Sequence, residues 1–463
     1  MIAISSKNRL RTEVLAFLKL AVPLASAQVV QSATGFADTL MMGRMGPEVL
    51  AAGGLAAIIF ISIIIIASGI VMGVSPLVAE AFGAGQKPRI QQIIRQGLWL
   101  ALLVSIPVMM VTAHTETWMR HTGQAETTVV LAKTYLDIML WSLFPAVGFM
   151  ALRFGISALS QTQPIIVIAA TGTVFNILGN YILGFGKWGF PNMGLAGLAL
   201  ATTLTWWGMF IALALYVLLH PALKDYQILQ GLHRIRPRII WQLVRVGVPI
   251  GLFCGLETGF FTVITVWMGT LGTDILAAHQ VVFQSIVVAF MVPLGLSQAT
   301  TVRVGQWLGR RELAGIQQTT WVSITLTTLV TIVFSSVFLL FPTQVIGLYL
   351  NVQNPDNAPI VNLALPLLTI AAIAQILDGL QKAVYGALQG LQDTQVPTIL
   401  NILGFWGVGL SLGYGLGFRL GMGSVGLWIG QSVAIAVVAG LFIWRFQQVI
   451  RRSDLKYQDT EKN

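Results

Sequence analysis

Three carboxylates lie inside long apolar stretches of this sequence, where an ionised acid is costly. They are Asp38 in QSATGFADTLMMG, Glu257 in GLFCGLETGFFTVITVWMG and Asp378 in LTIAAIAQILDGLQKAVYG. Acids in such settings usually face a cavity, a partner or a titrating ion. A buried carboxylate can take up and release a proton, and it can also supply oxygen ligands to Na⁺. H⁺ and Na⁺ are therefore both candidate ions, with Glu257 and Asp378 as possible Na⁺ ligands.

Each acid also has a purely structural interpretation. Asp38 could fix helix packing as a protonated or hydrogen-bonded acid. Asp378 has Lys382 four residues further on, which is the spacing of an ion pair within one helix. Glu257 has no basic residue within a helical turn, so its charge requires a proton, a cation or a distant partner.

Two amide pairs could complete these sites. Asn176 and Asn180 are four residues apart, on one face of a helix, and their carbonyl oxygens could join Asp38 in a cation or proton site. A hydrogen bond between helices is the alternative use of either residue. Gln280 and Gln284 share a face in the same way and are candidates for contacting a substrate, although packing contacts are the commoner use.

The composition shows which elements must position these side chains. Hydrophobic residues make up 56% of the 463 residues, and charged residues make up only 10%. Mean hydropathy is +0.79. Apolar runs of spanning length without strand alternation predict an all-α polytopic membrane protein. HExxH, GxSxG and P-loop motifs are missing from the sequence, which argues against an enzyme and against a bound cofactor.

Twelve transmembrane helices can be placed along the chain. Their predicted limits are 14–42, 50–80, 95–113, 129–151, 164–186, 194–219, 239–268, 276–305, 319–341, 360–388, 397–418 and 424–446. All but five of the 27 Lys and Arg residues then fall on one side, the exceptions being Arg44, Arg120, Lys133, Lys187 and Arg419. The positive-inside rule makes that side, with both termini, cytoplasmic. The net charge of +10 is thus a topology signal and does not indicate nucleic-acid binding.

The same assignment places several charged residues in cytoplasmic loops or tails. Among them are Glu13, Arg153, Arg303 and Lys382. The connection at 220–246 is strongly basic, and an amphipathic helix on the membrane surface is one interpretation of it.

The two halves of the chain repeat each other. GRMGPEVLAA at 43–52 returns as GTLGTDILAA at 269–278, an offset of 226 residues that also aligns Pro23 with Pro249. The repeat predicts two six-helix bundles related by a parallel pseudo-two-fold axis. The predicted parts are an N-lobe at 1–219, a linker at 220–238, a C-lobe at 239–448 and a tail at 449–463. At this offset Asp38 aligns with Ile264 and Glu257 aligns with Gln31, so the acids are not duplicated. This favours a functional role for these acids over a packing role inherited from the repeat.

Several motifs in the right order resemble the multidrug and toxic compound extrusion (MATE) family, specifically its NorM-like branch. They are QSATGFADTLMMGRMG, VAEAFGAGQKPRI, VPIGLFCGLETGFF, VRVGQWLGRREL and GALQGLQDTQVP. The resemblance implies a secondary antiporter that exports cationic drugs in exchange for Na⁺ or H⁺ by alternating access. It also implies a multi-pass protein of the bacterial inner membrane, with small organic cations as substrates. We expect the chain to act as a monomer.

The resemblance also assigns residues. Asp38 matches the acid of the family's N-lobe, Asn176 matches a polar ligand there, and Glu257 with Asp378 match the C-lobe cation-site acids of NorM-like members. Asn180 departs from certain members that carry an acid at this position, and Lys382 is unusual beside Asp378. A related alternative is a lipid-linked oligosaccharide flippase, although flippases line their cavity with basic residues. A membrane-embedded enzyme or a scaffold is a further alternative from a different class.

Overall fold

The computed structural model describes residues 6–121 and 123–461, which fold as helices and turns without a β-strand. An all-helical fold follows from the composition, because hydrocarbon offers backbone N–H and C=O groups no water to bond. A helix satisfies those groups within its own segment.

The described residues contain twelve helical segments long and apolar enough to cross a membrane, as the sequence predicts. We number them spans 1 to 12. Spans 1 to 6 are Arg9–Met45, Pro47–Gly83, Lys87–His121, Glu126–Ala158, Gln163–Gly184 and Gly194–Leu219. Spans 7 to 12 are Pro237–Leu271, Thr273–Arg310, Leu313–Leu340, Pro355–Gly390, Gln395–Arg419 and Gly423–Arg452.

Several spans extend beyond their predicted ends and bury charges there. Glu13 was placed in the cytoplasmic tail, which is wrong, because it lies in the helix Ser6–Met45 and is only 3% exposed. Arg303 of span 8 pairs with both Glu13 oxygens, and Thr319 of span 9 donates a hydrogen bond to Glu13 Oε1 at 2.5 Å. Arg303 Nη1 also donates to Gln306 at 2.9 Å. The predicted span ends at the first charged residue because the prediction follows hydrophobicity. The helix itself extends further, since a buried charge is tolerated when a side chain of another span bonds it.

The chain forms two compact units. Ser26–Leu252 form the first, and the described residues of Met1–Ala25 and Phe253–Asn463 form the second. Spans 1 and 7 are therefore each divided between the units, shortly after Pro23 and Pro249. This division follows packing, whereas the predicted lobes at 1–219 and 239–448 follow the order of the spans and stay a prediction of the repeated unit.

The two halves repeat the same turns. Gly46 and Gly272 precede spans 2 and 8 with φ of 123° and 140°, a conformation open to glycine but not to residues with a Cβ. Other turns with positive φ also recur at matching points, as the pairs Gly85 and Arg311, Ser160 and Gln392, and Gly194 and Gly423. The duplication visible in GRMGPEVLAA and GTLGTDILAA thus extends to the backbone conformation of its turns.

Small residues bring two helices close together within the first unit. A Cβ built on Gly69 of span 2 would lie 2.6 Å from the Cα of Gly251 in span 7. A Cβ on Gly73 would lie 2.9 Å from the backbone nitrogen of Gly247. Such small-residue crossings let membrane helices gain van der Waals contact where hydrophobic burial drives little association.

The second unit has the equivalent crossing between spans 8 and 1. Gly295, which the repeat aligns with Gly69, packs so closely on Ala25 that a Cβ would lie 2.5 Å from the Ala25 nitrogen. The residue that aligns with Ala25 is Gly251. Each unit therefore holds the beginning of span 1 or span 7 by the same small-residue contact.

The basic connection after span 6 does not form the surface helix that the sequence suggests. Between spans 6 and 7, at residues 220–236, only Pro221–Lys224 are helical, and turns follow up to residue 233. Residues 237–246 belong to the helix Pro237–Leu271. The backbone carbonyls of the connection are bonded by side chains of span 3, as Gln91 donates to Gln227, Arg95 to Gln230 and Gln96 to Arg234. Backbone groups satisfied in this way need no helix of their own.

We expect Gly69→Ala to lower the melting temperature of the purified protein in detergent. The added methyl group meets the backbone of Gly251, and overpacking of this kind costs about 1–3 kcal/mol. Gly54→Ala in the same helix, Pro47–Val71, is the matched control, since a Cβ there meets no atom within 4 Å. Its melting temperature should stay equal or rise, because Ala is the better helix former. Equal effects of the two changes in tryptophan-fluorescence melts would contradict the close crossing.

Candidate functional site

The first unit brings Asp38 of span 1 against span 5. Asn180 Nδ2 donates a hydrogen bond to Asp38 Oδ1 at 2.5 Å. One turn earlier on span 1, the hydroxyls of Thr34 and Thr173 lie 2.8 Å apart and share a hydrogen bond. These two bonds hold the carboxylate of Asp38 toward the polar face of span 5.

Asn180 and Asn176 continue this site as a buried network. Asn180 Nδ2 also donates to Asn176 Oδ1 at 3.2 Å, and Asn176 Nδ2 donates to the hydroxyl of Thr202 in span 6 at 3.0 Å. Both asparagines are 0% exposed, and the buried Oδ1 atom of Asn180 has no hydrogen-bond partner among the described residues. A buried acceptor without a donor is costly, so a bound proton donor or cation would stabilise this position.

The backbone of span 5 changes character at this site. The α-helix Gln163–Gly179 is followed by a π-helical segment, Asn180–Gly184. Such segments are rare and occur frequently at functional sites, because the wider turn re-aims side chains. The sequence predicted the grouping of Asp38, Asn176 and Asn180, and the structure brings all three together. It missed Thr202, which lies 26 positions from Asn176 and has no spacing signal.

In the second unit, Lys382 pairs with Glu257 and not with Asp378. Lys382 Nζ lies 2.6 and 2.7 Å from the two carboxylate oxygens of Glu257. The helical ion pair suggested by the spacing of Asp378 and Lys382 is therefore wrong, and so is the placement of Lys382 in a loop, since the residue is 3% exposed within span 10. Glu257 has no other cation within a turn, so the lysine relieves the charge that is otherwise hardest to bury.

Aromatic rings complete the surroundings of this lysine. The Nζ atom lies 5.4 Å from the centre of the Phe253 ring and 5.1 Å from that of Phe290, within the range of cation–π attraction. Phe253 in turn stacks on Tyr385 at 4.0 Å. Asp378 is partly buried one turn before Lys382, and its carboxylate bonds no side chain in the described part of the chain.

The first unit carries a counterpart of the Glu257–Lys382 pair in which amides take the place of the carboxylate. Arg153 of span 4 donates to Gln31 at 3.2 Å and to Gln28 at 2.8 Å. The repeat aligns Gln31 with Glu257, and span 4 corresponds to span 10. Arg153 is 1% exposed, so its predicted position in a cytoplasmic loop is wrong. In both units a basic side chain of the fourth helix of the repeat bonds a polar side chain of the first.

The glutamines proposed for substrate contact lie apart from these networks. Gln280 and Gln284 are both exposed on span 8, and neither makes a hydrogen bond within the described residues. Across 6–121 and 123–461, no three His, Cys, Asp or Glu side chains are grouped so that they could hold a metal ion. A Na⁺ site would therefore need amide, hydroxyl or backbone oxygens beside the carboxylates.

Comparison with known proteins relates the whole chain to one family. The MatE family model matches residues 23–182 and 249–415. A probable multidrug resistance protein NorM of Synechocystis sp. is 49% identical over 452 residues, covering 98% of this chain and 98% of the relative. A protein of the same description from Synechococcus sp. is 46% identical over 447 residues, covering 96% of each chain.

Solved structures share the fold. A multidrug resistance MATE family transporter of the MOP superfamily, solved in an outward-facing conformation, superposes with a TM-score of 0.88. It is 21% identical, and the match covers 98% of this chain and 99% of the other. At this identity the likeness concerns the fold alone.

A double-mutant cycle should identify which acid, Glu257 or Asp378, pairs with Lys382. Lys382→Met leaves Glu257 buried without a cation, and breaking a buried pair in this way costs about 3–5 kcal/mol. Adding Glu257→Gln to this variant should restore much of the lost thermal stability, giving a large coupling energy. The matched cycle, with Asp378→Asn in place of Glu257→Gln, should give a smaller coupling energy. A larger coupling for Asp378 than for Glu257 would contradict the observed pairing.

Proposed function

Because this chain belongs to the MatE family, we propose that it is a secondary active antiporter that exports organic cations, including drugs, in exchange for H⁺ or Na⁺. The observation that carries this proposal is Asp38, an acid inside span 1 that accepts an amide hydrogen bond but pairs with no cation within 6–121 and 123–461. The names of the NorM relatives, as multidrug resistance proteins, support the substrate class.

The coupling site would consist of Asp38 with Asn176, Asn180 and Thr202. When Asp38 is ionised, the Asn180 amide stabilises it, and the unpartnered Asn180 Oδ1 remains available to a cation. When Asp38 is protonated, its hydroxyl can itself donate a hydrogen bond. Alternation between these two states would make the first unit respond to the ion gradient, since a ligand shifts an equilibrium only by its different affinity for two states.

A flippase function finds less support. Pyrophosphate recognition requires cationic groups that are available to the lipid head group. The buried cations are already bonded: Arg95 to the carbonyl of Gln230, Arg153 to Gln28 and Gln31, and Lys382 to Glu257. The partly buried Arg303 is bonded to Glu13. The arrangement favours small cations as cargo.

The membrane setting of the proposal follows from the charge distribution. The excess of Lys and Arg in alternate loops favours cytoplasmic termini in a bacterial inner membrane. We expect a monomer to suffice for transport, since each network described above is complete within one chain.

Ethidium efflux from proteoliposomes tests the function. We expect uphill export under an imposed H⁺ or Na⁺ gradient, and a loss of at least about tenfold in rate for Asp38→Asn, which keeps the shape but cannot ionise. Asp137→Asn is the matched control, because Asp137 forms a surface ion pair with Lys133, and its side chain is 49% exposed. That variant should transport like the wild type.

The two gradients are imposed separately, so the one that drives export identifies the ion. Export against a concentration gradient with neither ion gradient present would overturn the antiporter proposal. Normal transport by Asp38→Asn under both gradients would remove Asp38 from the coupling site.

A further inference from the structure

The side chain of Lys382 lies where a free cation bound by Glu257 would lie. Both oxygens of Glu257 accept from Nζ at 2.6 and 2.7 Å, and the side chain of Lys382 is only 4% exposed. We propose that Lys382 is a tethered cation that fills the cation position of Glu257, so that the second unit binds no Na⁺ and any coupling to Na⁺ is confined to the Asp38 site. The part concerning coupling rests on the proposed function, whereas the part concerning binding does not.

Charge balance is the first argument. Glu257 and Lys382 neutralise each other, and a Na⁺ ion beside Glu257 would lie within a few ångströms of the ammonium. Like charges at such a distance repel strongly where water is excluded. Na⁺ could bind there only after the lysine had moved away, which would leave a desolvated ammonium without its partner.

The supply of ligands is the second argument. Na⁺ is a hard cation that is bound by several oxygen atoms. With both Glu257 oxygens held by the ammonium, the carboxylate of Asp378 is the acid that remains. The other titratable groups near Lys382 are the thiol of Cys254 and, through the stack on Phe253, the phenol of Tyr385. Neither is a ligand that Na⁺ favours, so only one carboxylate is left to balance the charge of a sodium ion beside Glu257.

The aromatic surroundings are the third argument. The faces of Phe253 and Phe290 lie 5.4 and 5.1 Å from Nζ. Ring faces stabilise an ammonium group, whereas they provide no oxygen atom for a metal ion. The space around Glu257 is therefore suited to an alkylammonium group, and the chain supplies that group itself.

Binding of radioactive ²²Na⁺ to the purified full-length protein in detergent tests the proposal. All variants carry Asp38→Asn, which removes the carboxylate of the candidate coupling site in the first unit. We expect no saturable binding to Asp38→Asn alone or to Asp38→Asn with Lys382→Arg. Adding Lys382→Met should create a saturable site, with at least tenfold more ²²Na⁺ bound, and further addition of Glu257→Gln should abolish it.

Two results would overturn the proposal. One is saturable Na⁺ binding to Asp38→Asn that is lost on adding Glu257→Gln, and this comparison does not require the lysine variant to fold. The other is a Lys382→Met variant that elutes as a folded monodisperse species and yet binds no Na⁺. Failure of the proposed function would be recognised separately. In that case the wild-type protein would show no gradient-driven export of ethidium, whatever the result of the Na⁺-binding measurement.

Discussion

A charge inside a membrane-spanning chain must find its partner within that chain, because hydrocarbon supplies neither water nor counter-ions. This constraint accounts for the polar contacts of both units. Glu13 is bonded to Arg303 and Thr319, and Glu257 is bonded to Lys382. Each contact joins two or three spans, so the pairs that relieve buried charge also fix which helices pack together. Asp38 and Asp378 differ from these acids, because Asp38 accepts an amide hydrogen bond and neither carboxylate pairs with a cation among the described residues.

The internal repeat explains where one of these pairs comes from. The lack of acid duplication suggests that Glu257 was added to its scaffold for function alone. The structure revises this interpretation, because the aligned residue Gln31 already bonds Arg153 of span 4. Both units thus use the same connection between the first and fourth helices of the repeat, made with an amide in one and with a carboxylate in the other. For Asp38 the aligned residue is Ile264, which offers no such inherited contact.

The sequence predicted the features that depend on local pattern. Apolar length gave the twelve spans, and helical spacing grouped Asn176 with Asn180. It failed where the deciding contact joins distant segments. Glu13 was misplaced because an apolar window ends at a charge, although Arg303 lies 290 positions away and makes burial possible. The local spacing also offered Asp378 as an alternative partner of Lys382, whereas the lysine reaches Glu257 across 125 positions. Neither Thr202 nor the turns of the basic connection carry a periodic signal.

The difference between the two units bears on how a gradient could act. A neutral Glu257–Lys382 pair has the same net charge whichever side of the membrane has access to it, so it can take up no free energy from an ion gradient while it stays intact. It can stiffen the contact of spans 7 and 10 throughout a transport cycle. In the proposed coupling site, Asp38 exists with or without a bound ion. An ion that bonds Asn180 Oδ1, which has no hydrogen-bond partner among the described residues, would stabilise the bound state. Since only a group with two such states can couple to the gradient, the proposed tethering of Lys382 leaves coupling to Na⁺ to the unit that contains Asp38.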